Sequence, residues 1–230
     1  MNVRPNSELE SEVINAYLLL LVNKRNKISV EKVSYIDSFA MTNLWNGKSQ
    51  RLKINPVEYK LIVGIVNEHK HWKLAAIMPG EKRSLLVDPL GESQMDIKKC
   101  LESTRAFMRK KGCNVSRWTC GTVPHPRQQD STSCGVFALK FAEHLLSDEE
   151  IDLSAKANDV NRYRLQIATT LLLETDDLSN LCCVCGEATH DTDNRWIQCD
   201  ECCRWFHLVC VGEPPTKGSF LCTACTEIKC

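Results

Sequence analysis

The sequence predicts an α+β domain, a mixed sheet flanked by helices, followed by a small module stapled by zinc. Two observations carry this. Over the first 175 residues, β-branched runs of strand length are interspersed with segments whose apolar residues recur at helical spacing. Beyond them, cysteine usage changes: ten of the 14 cysteines in this 230-residue chain lie from Cys182 onward, and only four before. An even scatter would suggest disulfides, whereas clustered pairs suggest metal. The expected division is residues 1–175 for the larger domain, a polar linker over 176–180, and the zinc module over 181–226.

Along the chain, Glu8 to Val22 reads as an amphipathic helix, with Val13, Ile14, Tyr17, Leu18 and Leu21 at three- and four-residue steps. Leu61–Val66 reads as a buried strand, and Trp72–Met78 and Ser84–Val87 as two more, joined through Pro79-Gly80-Glu81-Lys82. Asp96 to Lys110 has Ile97, Leu101 and Met108 on one helical face, and Gly112 ends it. Val115–Val123 suits another strand, broken by Pro124-His125-Pro126. Gly135–Leu146 is a strongly apolar helix, and Val160–Glu174 is the last one before the linker.

Composition excludes several classes. With 43% apolar residues, the chain is not wholly disordered. Lys plus Arg and Asp plus Glu are both 29, so the net charge is zero, which argues against direct nucleic-acid binding. The longest apolar run, Ala16 to Val22, is far short of the roughly 18 residues of a membrane span, so no membrane partner is expected. The polar opening MNVRPNSELE does not read as an export signal.

The second module offers four ligand pairs: Cys182/Cys185, Cys199/Cys202, His207/Cys210 and Cys222/Cys225. Two residues between partners let one tight turn present both to a tetrahedral zinc, and four pairs suit two zincs. The order, with His fifth of eight, favours a PHD finger over a RING finger. Residues Cys199 to Gly212, CDECCRWFHLVCVG, resemble the PHD signature. That resemblance implies a cross-braced pairing, with Cys182, Cys185, His207 and Cys210 on one structural zinc and Cys199, Cys202, Cys222 and Cys225 on the other. Cys183, Cys203 and Cys230 are then spare. It further implies an aromatic cage for methylated lysine with walls at Trp196 and Trp205, and the acids Glu187, Asp191, Asp193 and Asp200 would suit a basic histone H3 tail. Leu181 replaces the aromatic residue often found there in strong readers.

Three features of the larger domain point to nucleophilic catalysis. Cys134 opens an apolar helix, where the helix dipole and a nearby imidazolium favour the thiolate. Glu68-His69-Lys70-His71-Trp72 sits between two strands and supplies a base, and Asp88 at the end of the next strand can orient its ring. The residues LESEVINAYLLLL at Leu9–Leu21, Val66-Asn67, His71-Trp72-x-Leu74, Val87-Asp88 and Ser133-Cys134-Gly135-Val136-Phe137 resemble the Ulp/sentrin-type proteases specific for SUMO and other ubiquitin-like proteins. The resemblance spans about residues 8–175 and implies a papain-like, adenain-like cysteine protease fold needing no catalytic cofactor. It implies Cys134 as nucleophile, His71 as base in preference to His69, Asp88 as orienting acid, and Gln128 as oxyanion donor in preference to Gln129. Trp72 would line the tunnel for a Gly-Gly tail. The implied partner is a ubiquitin-like modifier, SUMO foremost and NEDD8 or ubiquitin as alternatives, and the implied location is the nucleus, with the cytoplasm as alternative.

One departure is plain. The family's opening Trp-Leu-x-Asp is Glu8-Leu9-Glu10-Ser11 here, so one tunnel tryptophan is absent. Two other readings stay open: a catalytically inactive scaffold serving a chromatin-binding finger, and acyl transfer by the same triad, for which no acyl-carrier site is visible.

Overall fold

The computed structural model describes residues 7–174, 181–185, 187–189, 195–215 and 218–227. The chain divides into two compact units, residues 1–173 and 174–230. The linker expected at 176–180, Asp191, Asp193 and Cys230 lie outside the described residues.

In the first unit the elements run α1 (Ser11–Ile28), β1 (Val33–Ile36), α2 (Ser38–Trp45), β2 (Leu61–Glu68), β3 (His71–Met78), β4 (Arg83–Val87), α3 (Gln94–Lys110), β5 (Thr119–Gly121), α4 (Cys134–Leu146) and α5 (Ala157–Glu174). The strands form one mixed sheet in sequence order, with β2-β3-β4 antiparallel and β1 and β5 added parallel at the edges.

Because successive strand residues face opposite sides, β3 feeds two cores at once. Trp72, Leu74 and Ala76 join Tyr17 and Leu18 of α1, Phe137 and Phe141 of α4 and Ile167 of α5. Ala75 and Ile77 join Met41 and Trp45 of α2 and Phe107 and Met108 of α3 on the other side. Each such fully buried side chain contributes about 1.5–3 kcal/mol. The result is the mixed sheet between helical layers that the sequence predicts.

Three differences have local causes. Strand β1 and helix α2 are too short to give a periodic signal; only Asp37, whose carboxylate accepts from Ala40 N at 2.9 Å, marks the start of α2. The strand expected over Val115–Val123 is confined to Thr119–Gly121, since Arg117 has φ +58° and Val115 and Trp118 enter the core from a loop. Helix α1 runs on to Ile28, beyond the apolar run. Among the described residues no helix is long and apolar enough to cross a membrane.

The second unit has a two-stranded antiparallel sheet, β6 (Trp196–Gln198) and β7 (Trp205–His207), and a short helix α6 (Thr223–Glu227). Its core is mostly sulfur: Cys182, Cys199, Cys222 and Cys225, with the side chain of Phe206 buried among them. So small a core gains its stability from metal.

Candidate active site and zinc centres

The β2–β3 hairpin closes through His69-Lys70, both at positive φ (54° and 64°), a two-residue turn that pairs Glu68 with His71. His69 is therefore an exposed turn residue, while His71 opens β3. Asp88 follows the last residue of β4 and is 3% exposed. His71 Nε2 lies 2.6 Å from Asp88 Oδ1, and Cys134 is close enough to interact electrostatically with the same ring. Partial burial pulls the His71 pKa down, but the interactions with Asp88 and Cys134 outweigh it and push it up to about 9.

Cys134 is the first residue of α4 and 2% exposed. A Cβ on the following residue, Gly135, would stand 3.1 Å from both Leu9 Cβ and Trp72 Cδ1, so glycine lets the nucleophile's helix approach these side chains. Trp72 donates from Nε1 to Leu9 O at 3.1 Å. It edges a groove of about 490 Å³ with Glu10, Ser11, Phe39, Thr42 and Asn67. Leu9 is buried, and Glu8 is exposed beside it.

The nucleophile's loop is tied down from both ends. Gln128 N donates to Pro89 O at 2.8 Å, joining the loop to the Asp88 turn. Asp130 Oδ1 accepts from Thr132 N and Ser133 N, each at 2.8 Å. Gln128 is buried, its Nε2 donating to Asp130 O at 2.8 Å and its Oε1 without a partner; Gln129 is exposed. An amide nitrogen carries two N–H groups, so one remains to donate elsewhere.

Sequence reasoning missed three supports. Arg164 of α5 donates to Ser7 O at 2.7 Å, Thr132 O at 3.1 Å and Ser133 Oγ at 3.2 Å, just before the nucleophile. Glu92 accepts from Asp88 N and pairs with His125, each at 2.8 Å. Burial raises the Glu92 pKa, but these bonds outweigh it and hold it at about 2. Lys73, 7% exposed, places its ammonium 3.0 Å from Glu68 Oε2, 3.0 Å from Asp96 Oδ1 and 3.4 Å from Asp88 Oδ2. A lysine inside the apolar run HWKLAAIM was the available signal.

In the second unit, the ligand atoms of Cys182, Cys185, His207 and Cys210 converge within 4.8 Å, as do those of Cys199, Cys202, Cys222 and Cys225. Interleaved pairs thus form two sets, each suited to one tetrahedral Zn²⁺ through three or four thiolates. Backbone N–H groups of His207 and Cys222 point at Cys182 Sγ (3.2 Å) and Cys199 Sγ (3.3 Å), as thiolate ligands require. Cys183 and Cys203 are exposed and outside both sets.

Trp196 stands opposite His207, ring centroids 4.1 Å apart, and Trp205 opposite Gln198. Paired residues share a face, so both tryptophans lie on one face of the ribbon, on a diagonal. Trp196 packs on the zinc ligand, whereas Trp205 is 37% exposed. Asp200 accepts from Ser219 Oγ and Phe220 N at 2.9 and 2.7 Å, so it braces the module's own backbone.

A thiol at a helix start, an imidazole that interacts with it and a carboxylate hydrogen-bonded to the imidazole, on a mixed sheet between helices, define a cysteine-type peptidase domain. The chain belongs to the Ulp1 protease family: residues 7–177 match its C-terminal catalytic domain, and residues 182–225 match the PHD finger. Human Sentrin-specific protease 2 is 27% identical over 155 residues, covering 62% of this chain and 26% of that protein. The chain thus spans about a quarter of the length of that relative. The JmjC domain-containing histone demethylation protein 1 of Emericella nidulans is 46% identical over 43 residues, 16% of this chain and 3% of that one. The solved structure of the SUMO protease Ulp1 with its catalytic cysteine oxidised to a sulfenic acid shares the fold at TM-score 0.63 and 20% identity, covering 75% of this chain and 80% of that one.

Proposed function

We propose that this chain cleaves after the C-terminal Gly-Gly of a SUMO-like modifier, processing its precursor or releasing it from lysine, and that its PHD finger docks it on a histone H3 tail in the nucleus. The observation that carries the first part is His71 held between Asp88 at 2.6 Å and Cys134. Cys134 as thiolate attacks the glycine carbonyl, and the oxyanion draws on the free N–H of Gln128 and on N–H groups at the start of α4. His71 gives its proton to the leaving amine, then takes one from the water that hydrolyses the thioester. Asp88 holds the ring, and Trp72 and the groove beside it hold the extended tail.

The zinc ions supply structure to the second unit and no step of this reaction. For the histone reading, support comes from the exposed Trp205 and from the likeness to a protein named for histone demethylation. Trp196, committed to His207, leaves half a cage and modest affinity.

The test offers the full zinc-loaded chain SUMO, NEDD8 and ubiquitin precursors extended past Gly-Gly. Cleavage after Gly-Gly of at least one, lost in Cys134→Ala, is expected. Failure to cleave any of them contradicts the proposal.

A further inference from the structure

We propose that Lys73 is a positioning residue for the Asp88 carboxylate: its ammonium holds the second oxygen while His71 holds the first, fixing the carboxylate plane and tempering its pull on the imidazole proton. This rests on the catalytic reading of His71 and Asp88 given above.

The geometry is specific. Asp88 Oδ1 already has two partners, His71 Nε2 at 2.6 Å and Leu90 N at 2.8 Å. The other oxygen, Oδ2, faces Lys73 Nζ at 3.4 Å. A carboxylate gripped at one oxygen can still turn about its Cβ–Cγ bond, whereas a cation at the other oxygen removes that freedom. Lys73 itself is anchored by its own partners, since Glu68 and Asp96 take its ammonium at 3.0 Å each and Trp45 lies 5.7 Å below it. A lysine this buried is retained only where carboxylates repay its desolvation. Strand alternation puts Lys73 on the same side of β3 as His71, two residues on, and the pairing of Leu74 with Val87 brings Lys73 level with Asp88.

The charged groups around the pair are few. Glu68 ends β2 with Lys99 on its other oxygen, and Asp96 opens α3. Glu92 and His125 sit behind the Asp88 backbone. Across the site, Cys134 faces His71, with Arg164 and Asp130 beyond it. Of the lysines and arginines among them, Lys73 is the one in contact with Asp88. Neutralising it leaves Glu68, Asp96 and Asp88 facing one another with less compensation, which strengthens the field favouring a protonated His71.

The test follows the His71 ring by NMR through a pH titration of the full zinc-loaded chain in a Cys134→Ala background, with and without Lys73→Met. The His71 midpoint should rise by about one pH unit in Lys73→Met. It should return to the parent position in Lys73→Arg, which restores the cation. Should Lys73→Met not fold, Lys73→Gln removes the same charge at similar length and keeps a polar head. In the chain with its thiol intact, kcat/KM should fall about tenfold with KM unchanged, as expected for a misplaced orienting group remote from the tail groove. An unmoved His71 midpoint in the neutral variants, with only a lower Tm, overturns the proposal and leaves Lys73 a structural cation. The titration needs no turnover, so it separates this proposal from the peptidase reading: a parent that cleaves no modifier while His71 still responds to Lys73 refutes the peptidase reading alone.

Discussion

His71 and Asp88 lie 17 positions apart, one opening β3 and the other just past the end of β4, yet Nε2 of the first stands 2.6 Å from Oδ1 of the second. The antiparallel register of β3 and β4 brings the start of one strand beside the end of the other, at the edge where α4 begins with Cys134. That single junction determines which histidine can act.

His71→Ala should therefore be nearly as severe as Cys134→Ala, and His69→Ala mild, because His69 occupies the exposed turn. Asp88→Asn should lower kcat by as much as about four orders of magnitude through the wrong ring tautomer. Steady-state cleavage of a modifier precursor measures all four. A severe His69 variant beside a mild His71 variant would mean that the base is misassigned.

The pH dependence follows from the raised His71 value. A group whose pKa is lifted from 6.5 to about 9 on folding contributes stability that is full below 6.5 and is lost as pH climbs through 9. The gap in Tm between the parent and His71→Gln should thus narrow between pH 6.5 and 9, and the basic limb of kcat/KM should fall near pH 9. A constant gap over that interval would contradict the imidazolium.

The oxyanion role can be apportioned by two amides. Gln128→Ala should cost on the order of 100-fold in kcat, as loss of one donor does elsewhere. Gln129→Ala, at an exposed position, should change little. The opposite ranking in a kcat comparison transfers the donor to Gln129.

Glu8 stands exposed beside buried Leu9, where relatives in the family place a tryptophan. Glu8→Trp should raise cleavage of a SUMO precursor several-fold, chiefly through KM. Lower activity would indicate a modifier tail held on another path.

Chelation of zinc should unfold the second unit, whose core is mainly cysteine, and leave cleavage by the first unit intact. With zinc bound, Trp205→Ala should abolish binding of a trimethyl-lysine H3 peptide in a fluorescence titration. Binding unchanged by that substitution removes the cage reading.

What was legible in the sequence was what leaves a periodic or spaced trace. The strands β2 and β3 and the helix α4 are long apolar runs, and the zinc pairs announce themselves by two-residue gaps. The junction of His71, Asp88 and Cys134 was legible only as a set, because each residue alone is common. Strand β1 and helix α2, at four and eight residues, are set by tertiary pairing with β2 and α3 and carry almost no period. The roles of Arg164 and Glu92 were invisible for a different reason, and Lys73 showed only as a lysine inside an apolar run. Their roles depend on partners brought together by the fold, Arg164 and Ser7 being 157 positions apart. The same holds for the two tryptophans of the finger, equal in sequence but divided in structure by the His207 ring beneath Trp196.

The most direct measurement of the account is covalent capture. SUMO, NEDD8 and ubiquitin, each carrying an electrophile in place of the C-terminal carboxylate, are incubated with the parent chain and with His71→Ala, and the adduct is mapped by mass spectrometry. The account predicts one modifier attached at Cys134 in the parent, with labelling slowed strongly in His71→Ala. Attachment at Cys183 or Cys203, or labelling at Cys134 that is indifferent to His71, would contradict it.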